Sequence, residues 1–127
     1  MYLRHVPNLL AILFLSMVGA SATSNEPDCS STSHMTIPII RYCAAKDLEN
    51  ADKELNARYT EVRKDLDTQG KRMLRDAQRA WIKFRDLNCS WESDFYRGGT
   101  HQPVAGTFCV LRMTEARTKE LSEAVSP

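Results

Sequence analysis

The chain has 127 residues, with 17 Lys or Arg and 16 Asp or Glu, so its formal net charge at pH 7 is +1. A nearly neutral chain lacks the broad basic surface that attracts nucleic acids or anionic membranes, which argues against both as partners. The length suits a single domain.

The first 22 residues predict a signal peptide. Arg4 and His5 precede an apolar run, "LLAILFLSMV", and the following "ASA" fits a cleavage site. A membrane anchor is the alternative, but the run is only half of the about 20 residues that span a bilayer. Because Arg4 leaves with the signal, the mature chain 23–127 carries 16 basic and 16 acidic residues. We expect a neutral periplasmic or secreted domain that is free of the membrane after cleavage.

Four cysteines lie in the mature part of the chain: Cys29, Cys43, Cys89 and Cys109. An even number of cysteines in a small exported chain predicts two disulfides, with free thiols or a metal site as alternatives. Their spacings contain no CxxC pair, and neither His34 nor His101 stands at metal-ligand spacing from a cysteine. The sequence therefore predicts neither a metal nor a cofactor.

An irregular segment is expected before the first helix. The stretch "SNEPDCSSTSH" is polar, and in the apolar "MTIPII" that follows, Pro38 limits regular structure. The next residues, 44–66, contain neither Gly nor Pro, which favours a helix. Apolar residues recur there every three or four positions, with Asp52 as the exception, and so form one stripe along the helix. This stripe consists of Leu48, Asp52, Leu55, Tyr59, Val62 and Leu66.

A second helix is predicted over about 71–95, after a break at Gln69-Gly70 in which Gly70 follows the end of the first helix. Its expected inner stripe is Leu74, Ala77, Trp81, Phe84, Asn88 and Trp91, widened by Met73, Ala80 and Leu87. The short connection predicts an antiparallel hairpin of the two helices.

Folding that hairpin about Gly70 gives specific contacts. It places Trp81 and Phe84 in the core and brings Arg85 to Asp52, the one acidic residue of the first stripe. A charge in such a stripe is rarely left unpaired, so we predict a shielded Asp52–Arg85 ion pair. Gln78 is expected to extend this polar contact near Asn56 or Tyr59.

The stretch "RGGTHQPVAGT", residues 97–107, holds three Gly and one Pro and predicts a loop before a third helix over about 108–124. The inner face of that helix is expected to carry Leu111, Thr114, Arg117 and Leu121, with Val110 and Met113 beside them. Cys89 and Cys109 are equally distant from the centre of the loop, so they should pair across it, which leaves Cys29 to pair with Cys43. The predicted fold is all-α: a small disulfide-stapled three-helix up-down-up bundle with an irregular N-terminal segment.

A catalytic interpretation of Arg85, Asp86 and Cys89 is weak. Asp86 points about 100° away from Arg85 on a helix, and a cysteine nucleophile needs a histidine base, which is absent from the neighbouring sequence. The chain has no H-E-x-x-H, no G-x-S-x-G and no Gly-rich phosphate loop. We therefore predict that the protein is not an enzyme.

Three segments, "ADKELNARY", "AQRAWIKFRDLNC" and "RMTEARTKEL", resemble the LprI-type lysozyme-inhibitor N-terminal domain family of small exported bacterial proteins. The resemblance runs from about Asp28 to Leu121. Between Cys29 and Cys43 the chain departs from the family pattern, since "TIPII" stands where a polar, helix-compatible stretch is expected. The positions that match in order are Asp52, Leu55, Asn56, Tyr59, Gln78, Trp81, Arg85, Asp86, Cys89, Gly98, Gly99, Cys109, Thr114 and Arg117.

The resemblance implies a non-enzymatic protein that binds and blocks a lysozyme or another peptidoglycan-directed lytic enzyme. An immunity-type or envelope-stress protein with a different protein partner is the alternative. The neutral charge weighs against a strongly basic lysozyme, because Glu92 and Asp94 form only a small acidic cluster.

The loop is the predicted partner-binding surface. Arg97, His101 and Gln102 are donors suited to the paired carboxylates of a glycosidase site, and Gly98 and Gly99 allow close backbone approach. The alternative is that this loop only connects two helices and that "MTIPII" binds the partner.

Overall fold

In the computed structural model, residues 26–31, 33 and 35–124 are described. They form three helices, α1 (Ile37–Lys64), α2 (Thr68–Asp94) and α3 (Gln102–Glu123), and this described part contains no strand. The predicted all-α, up-down-up bundle is confirmed. None of its helices is long and apolar enough to cross a membrane. The predicted signal peptide, residues 1–22, lies outside the described residues.

Two prolines begin helices instead of preventing them. Pro38 and Pro103 both stand in the first turn of their helix, α1 and α3 respectively. The amide that proline lacks has no partner inside the helix at this point, and its fixed φ already suits the helix. The prediction of irregular structure through "MTIPII" was therefore wrong from Ile37 onward, and the predicted loop 97–107 is confined to residues 95–101.

The α1–α2 corner also differs from the sequence prediction. α1 ends at Lys64, and Gly70 lies in the first turn of α2 rather than after the end of α1. The Asp67 side chain caps α2 by accepting a hydrogen bond from the Gly70 amide at 2.7 Å. A Cβ at Gly70 would lie 3.2 Å from both Asp67 Oδ1 and Leu66 Cβ, so the corner favours glycine for its small size.

α3 packs along both other helices, whereas α1 and α2 meet over only a short stretch. The predicted α1–α2 hairpin is present, with Leu74 and Trp81 of α2 packed against the core, but its interface is shorter than expected, and the main apolar interface lies between α1 and α3. Ala44 and Ala51 on α1 are buried there, and their small side chains let the two helices approach closely. The apolar core consists of Leu55, Val62 and Leu121, with Tyr59, Leu66, Leu74 and Trp81 packed against it.

α2 is rotated about its axis relative to the prediction. Phe84, which we expected in the core, is 59% exposed, whereas Gln78, Arg85 and Cys89 face the bundle. Trp81 packs against the core as predicted. The rotation follows from the partner helix, because α3 offers α2 the polar residue Thr114, together with Arg117, rather than a second apolar surface.

Both predicted disulfides are present. Cys29 and Cys43 are joined with an S–S distance of 2.04 Å, and Cys89 and Cys109 with 2.03 Å. The first bond fastens the segment before α1 to that helix, and the second fastens α2 to α3 near the turn that connects them.

Candidate interaction site at the α2–α3 turn

Arg85 is the centre of a polar contact that joins all three helices. Its Nη1 atom lies 3.6 Å from Asp52 Oδ1 on α1 and donates to Thr114 Oγ1 on α3 at 3.1 Å. Its Nε atom donates to Asp86 on its own helix at 2.9 Å. The predicted Asp52–Arg85 pair is therefore present but only partly shielded, since the Asp52 side chain is 48% exposed.

Gln78 pairs with a different residue from those expected. Its amide oxygen accepts a hydrogen bond from Arg117 Nε at 3.1 Å, and Asn56 is exposed on the outside of α1. The guanidinium groups of Arg85 and Arg117 lie 5.2 and 5.9 Å from the centre of the Trp81 ring, within range of cation–π attraction. These motif residues thus fix α2 against α3.

The turn between α2 and α3 is held by its own side chains. Arg97 donates to both carboxylate oxygens of Asp94, and these hydrogen bonds, with the charge of Arg97, lower the pKa of Asp94. Gly98 adopts a positive φ of 78°, where glycine is favoured, and its amide donates to Gln102 Oε1 at 3.1 Å. The His101 ring stands 6.4 Å from that of Tyr96.

These contacts show that two of the predicted binding residues of the loop already have partners inside the turn. Arg97 is exposed, but its charge is matched by Asp94, and the amide oxygen of Gln102 accepts a hydrogen bond inside the turn. The turn is thus a preorganised surface, in which the donors of Arg97 are already engaged.

An open cleft of about 680 Å³ lies beside the turn, between the end of α2 and the first half of α3. Phe95, Tyr96 and Phe108 contribute exposed aromatic surface, and Phe95 is 77% exposed. The sequence analysis did not predict the cleft, because it placed residues 102–107 in a loop. In the structure these residues belong to α3, and Phe108 lines the same cleft as Phe95 and Tyr96. The cleft is lined by Glu92, Phe95, Tyr96, Ala105, Phe108, Cys109, Leu111, Arg112 and Glu115.

The rim of the cleft is charged. Arg112 Nη2 donates to the two carboxylate oxygens of Glu92 at 3.0 and 2.9 Å, and Asn88 Nδ2 donates to Glu92 Oε1 at 2.8 Å. The hydrogen bond from Asn88, followed by that from Arg112, lowers the pKa of Glu92. Glu92 is therefore an anion at neutral pH, and the cleft combines an apolar wall with fixed charges of both signs.

No group of three or more His, Cys, Asp or Glu side chains in the described part of the chain is arranged to hold a metal ion. All four cysteines are in disulfides, so none of them provides a thiolate.

The family model for the lysozyme inhibitor LprI matches residues 28–121. The chain belongs to the LprI lysozyme inhibitor family. The resemblance found in the sequence is confirmed, and the turn and the cleft both lie inside the matched region of this LprI family member.

Similarity to a second protein extends over nearly the whole chain. The LprI family chain is 33% identical over 135 residues to an uncharacterized protein of Rhizobium meliloti (strain 1021), and the alignment covers 95% of each chain. No solved structure shows significant similarity to the chain.

Proposed function

We propose that the protein is an exported inhibitor that binds and blocks a lysozyme or another peptidoglycan-directed lytic enzyme, without catalysing a reaction itself. Membership of the LprI lysozyme inhibitor family carries this proposal. In it, residues 1–22 direct export and are removed, and residues 23–127 act as one domain in the periplasm or outside the cell.

The cleft and the turn beside it form the proposed binding surface. Phe95, Tyr96 and Phe108 provide the large aromatic side chains that dominate the energy of many protein interfaces. The Cys89–Cys109 disulfide joins the helices on either side of the cleft, so its walls lose little conformational freedom when a partner binds.

The turn contributes the polar part of this surface. Arg97 lies on the outside, and a carboxylate of the partner can replace Asp94 as its acceptor. The backbone at Gly98 and Gly99 carries no side chain that would hold the partner away. His101 and Gln102 complete a set of groups suited to the two catalytic carboxylates of a glycosidase.

The neutral charge of the mature chain supports a second candidate. Inhibitors of strongly basic enzymes gain from a negative surface, which speeds encounter, and this chain has no excess of acidic residues. An immunity-type or envelope-stress protein would use the same cleft for a different protein partner.

The test is an inhibition assay with the purified, disulfide-bonded protein against a panel of lysozyme types, read as the rate of peptidoglycan lysis and as direct binding. Replacing Phe95, Tyr96 and Phe108 together by Ala should weaken inhibition by at least about 100-fold, the size typical of removing a group of interface anchors. Replacing Arg97, His101 and Gln102 together by Ala should weaken it by roughly 10-fold, because rim contacts contribute less.

Ile82→Ala is the matched control, because Ile82 is an exposed apolar residue of α2 that does not line the cleft. This variant should inhibit like the parent, and circular dichroism should show the same helix content for all variants. Inhibition that survives both triple replacements would contradict the assignment of the cleft and the turn as the binding surface, and it would point to the segment around Met35. Failure to inhibit any lysozyme, together with capture of another envelope protein that the aromatic replacement abolishes, would favour the second candidate.

A further inference from the structure

α2 carries a second apolar face that the bundle does not use. Its large members, Met73, Phe84, Leu87 and Trp91, are between 59% and 64% exposed, although they are the type of side chain that normally fills a core. This face lies more than about 90° around the helix from Gln78 and Arg85, which point to α3. The outer stripe consists of Met73, Ala77, Ala80, Phe84, Leu87 and Trp91.

The spacing of the outer stripe is that of a helix–helix contact. Its members recur alternately four and three residues apart from Met73 to Trp91, and no charged residue stands in the stripe. An alternation of this kind is the heptad pattern by which one helix packs along another. The described part of the chain places no other helix on this face.

We propose that a second copy of this chain covers the outer stripe, with the two α2 helices paired antiparallel about a twofold axis. A twofold axis brings the same surface together from both chains, so the surface must be complementary to itself. With Met73 of each copy beside Trp91 of the other, Ala77 faces Leu87 and Ala80 faces Phe84. The layers of Ala77 with Leu87 and of Ala80 with Phe84 each combine a small side chain with a large one, which fills space evenly, and Met73 and Trp91 close both ends of the contact.

The charges of α2 select the same orientation. Residues 68–83 include five basic and one acidic side chain, a net charge of +4, and residues 84–94 include one basic and three acidic, a net charge of −2. This distribution opposes the dipole of the helix, which has no acidic residue in its first turn and no basic residue in its last. Parallel pairing would place the two basic halves side by side, whereas antiparallel pairing keeps them apart. The acids of residues 84–94 are already paired within their own chain, so the basic half alone favours the antiparallel orientation.

The exposed area suits a reversible dimer. Large apolar and aromatic side chains bury about 150–250 Å² when fully covered, so the outer stripe offers on the order of 500 Å² per chain, or about 1,000 Å² in a pair. That total is near the lower limit for a specific interface, and we expect a dissociation constant in the micromolar range. The antiparallel pair leaves the two clefts at opposite ends of the dimer, so this inference does not depend on the proposed function.

The test is sedimentation equilibrium of the disulfide-bonded protein from low micromolar to several hundred micromolar concentration. The parent protein should pass from monomer to dimer in this range. Phe84→Glu and Leu87→Glu should each weaken dimerisation by at least about 100-fold, because each replaces an apolar side chain of both copies by a charge that must lose its water in the interface. Ile82→Glu introduces the same charge on the opposite side of α2, where Ile82 is also exposed, and should leave the dimer unchanged.

A photo-crosslinking residue at position 73 tests the orientation. It should attach to the partner's chain near position 91 and not near position 73. A protein that stays monomeric over the whole range, equal weakening by Ile82→Glu, or cross-links joining the two copies of position 73 would overturn the proposal. A monomer that binds an apolar dye through Phe84 would likewise overturn it, by assigning the outer stripe to a different partner.

Discussion

α3 has two interfaces of opposite character. Towards α1 it buries Leu121 against Leu55 and Val62, and the alanines of α1 allow the helices to lie close together. Apolar burial of this kind is strong and does not depend on direction, so it supplies most of the free energy that holds the bundle together.

Beyond the packing of Leu74 and Trp81 against the core, the α2–α3 interface depends on directed polar contacts and a covalent bond. Gln78 accepts from Arg117, Arg85 donates to the fully buried Thr114, and Cys89 is bonded to Cys109. Hydrogen bonds contribute less net free energy than apolar burial but require a defined geometry. They therefore fix the rotation of α2 about its axis, and this rotation leaves the outer stripe in solvent.

The largest effect is expected in the apolar interface. Leu121→Ala should lower the free energy of unfolding by about 3 kcal/mol, because it removes a buried side chain and leaves a cavity. Leu87→Ala is the matched control, and since Leu87 is 62% exposed it should cost less than about 0.5 kcal/mol. Denaturant unfolding of dilute protein measures both, and equal losses would contradict the assignment of the core.

Removing the covalent bond should have a similar effect on stability. Replacing Cys89 and Cys109 by Ser opens a link between residues 20 positions apart and should cost on the order of 3 kcal/mol in the chain-entropy model. Amide exchange should then accelerate in α2 more than in α1. As a control, replacing Cys29 and Cys43 by Ser removes a disulfide that closes a loop of similar length and should leave amide exchange in α2 unchanged. If amide exchange accelerates uniformly along the chain in both variants, the two disulfides do not act locally.

A single polar contact should contribute less. Gln78→Ala removes the acceptor of Arg117 Nε inside the α2–α3 interface and should cost about 1–2 kcal/mol. Gln69→Ala changes an exposed glutamine of the same helix and should cost less than about 0.5 kcal/mol. If both variants have the same midpoint of urea unfolding, the hydrogen bond to Arg117 does not stabilise the interface.

The smallest effect is expected at the edge of the polar contact. Asp52→Ala should cost less than about 1 kcal/mol, because Asp52 is half exposed and Arg85 keeps Asp86 and Thr114 as partners. The shielded pair predicted from the sequence would have cost about 2–4 kcal/mol. A double-mutant cycle with Arg85→Met should give a small coupling energy, and a coupling above about 2 kcal/mol would restore the original prediction.

The number of helices, their order and both disulfides were predictable from the sequence. Periodicity without Gly or Pro identified α1, and the position of Cys89 and Cys109 about the turn identified their bond. The starts of α1 and α3 are harder to predict from the sequence, because Pro38 and Pro103 suggest irregular structure although the first turn of a helix accepts proline. That error hid the cleft, because Phe108 faces Phe95 only when residues 102–107 are helical.

The sequence alone is enough to predict a three-helix, disulfide-bonded chain with an Asp52–Arg85 contact and the motifs of the LprI family. Which face of α2 lies inside depends on how the helices pack. Two stripes with helical spacing run along this helix, and periodicity favours the more apolar one, with Phe84 and Leu87. The choice depends instead on the surface that α3 presents: Thr114 and Arg117 require polar partners, so Arg85 and Gln78 turn inward and the apolar stripe turns out.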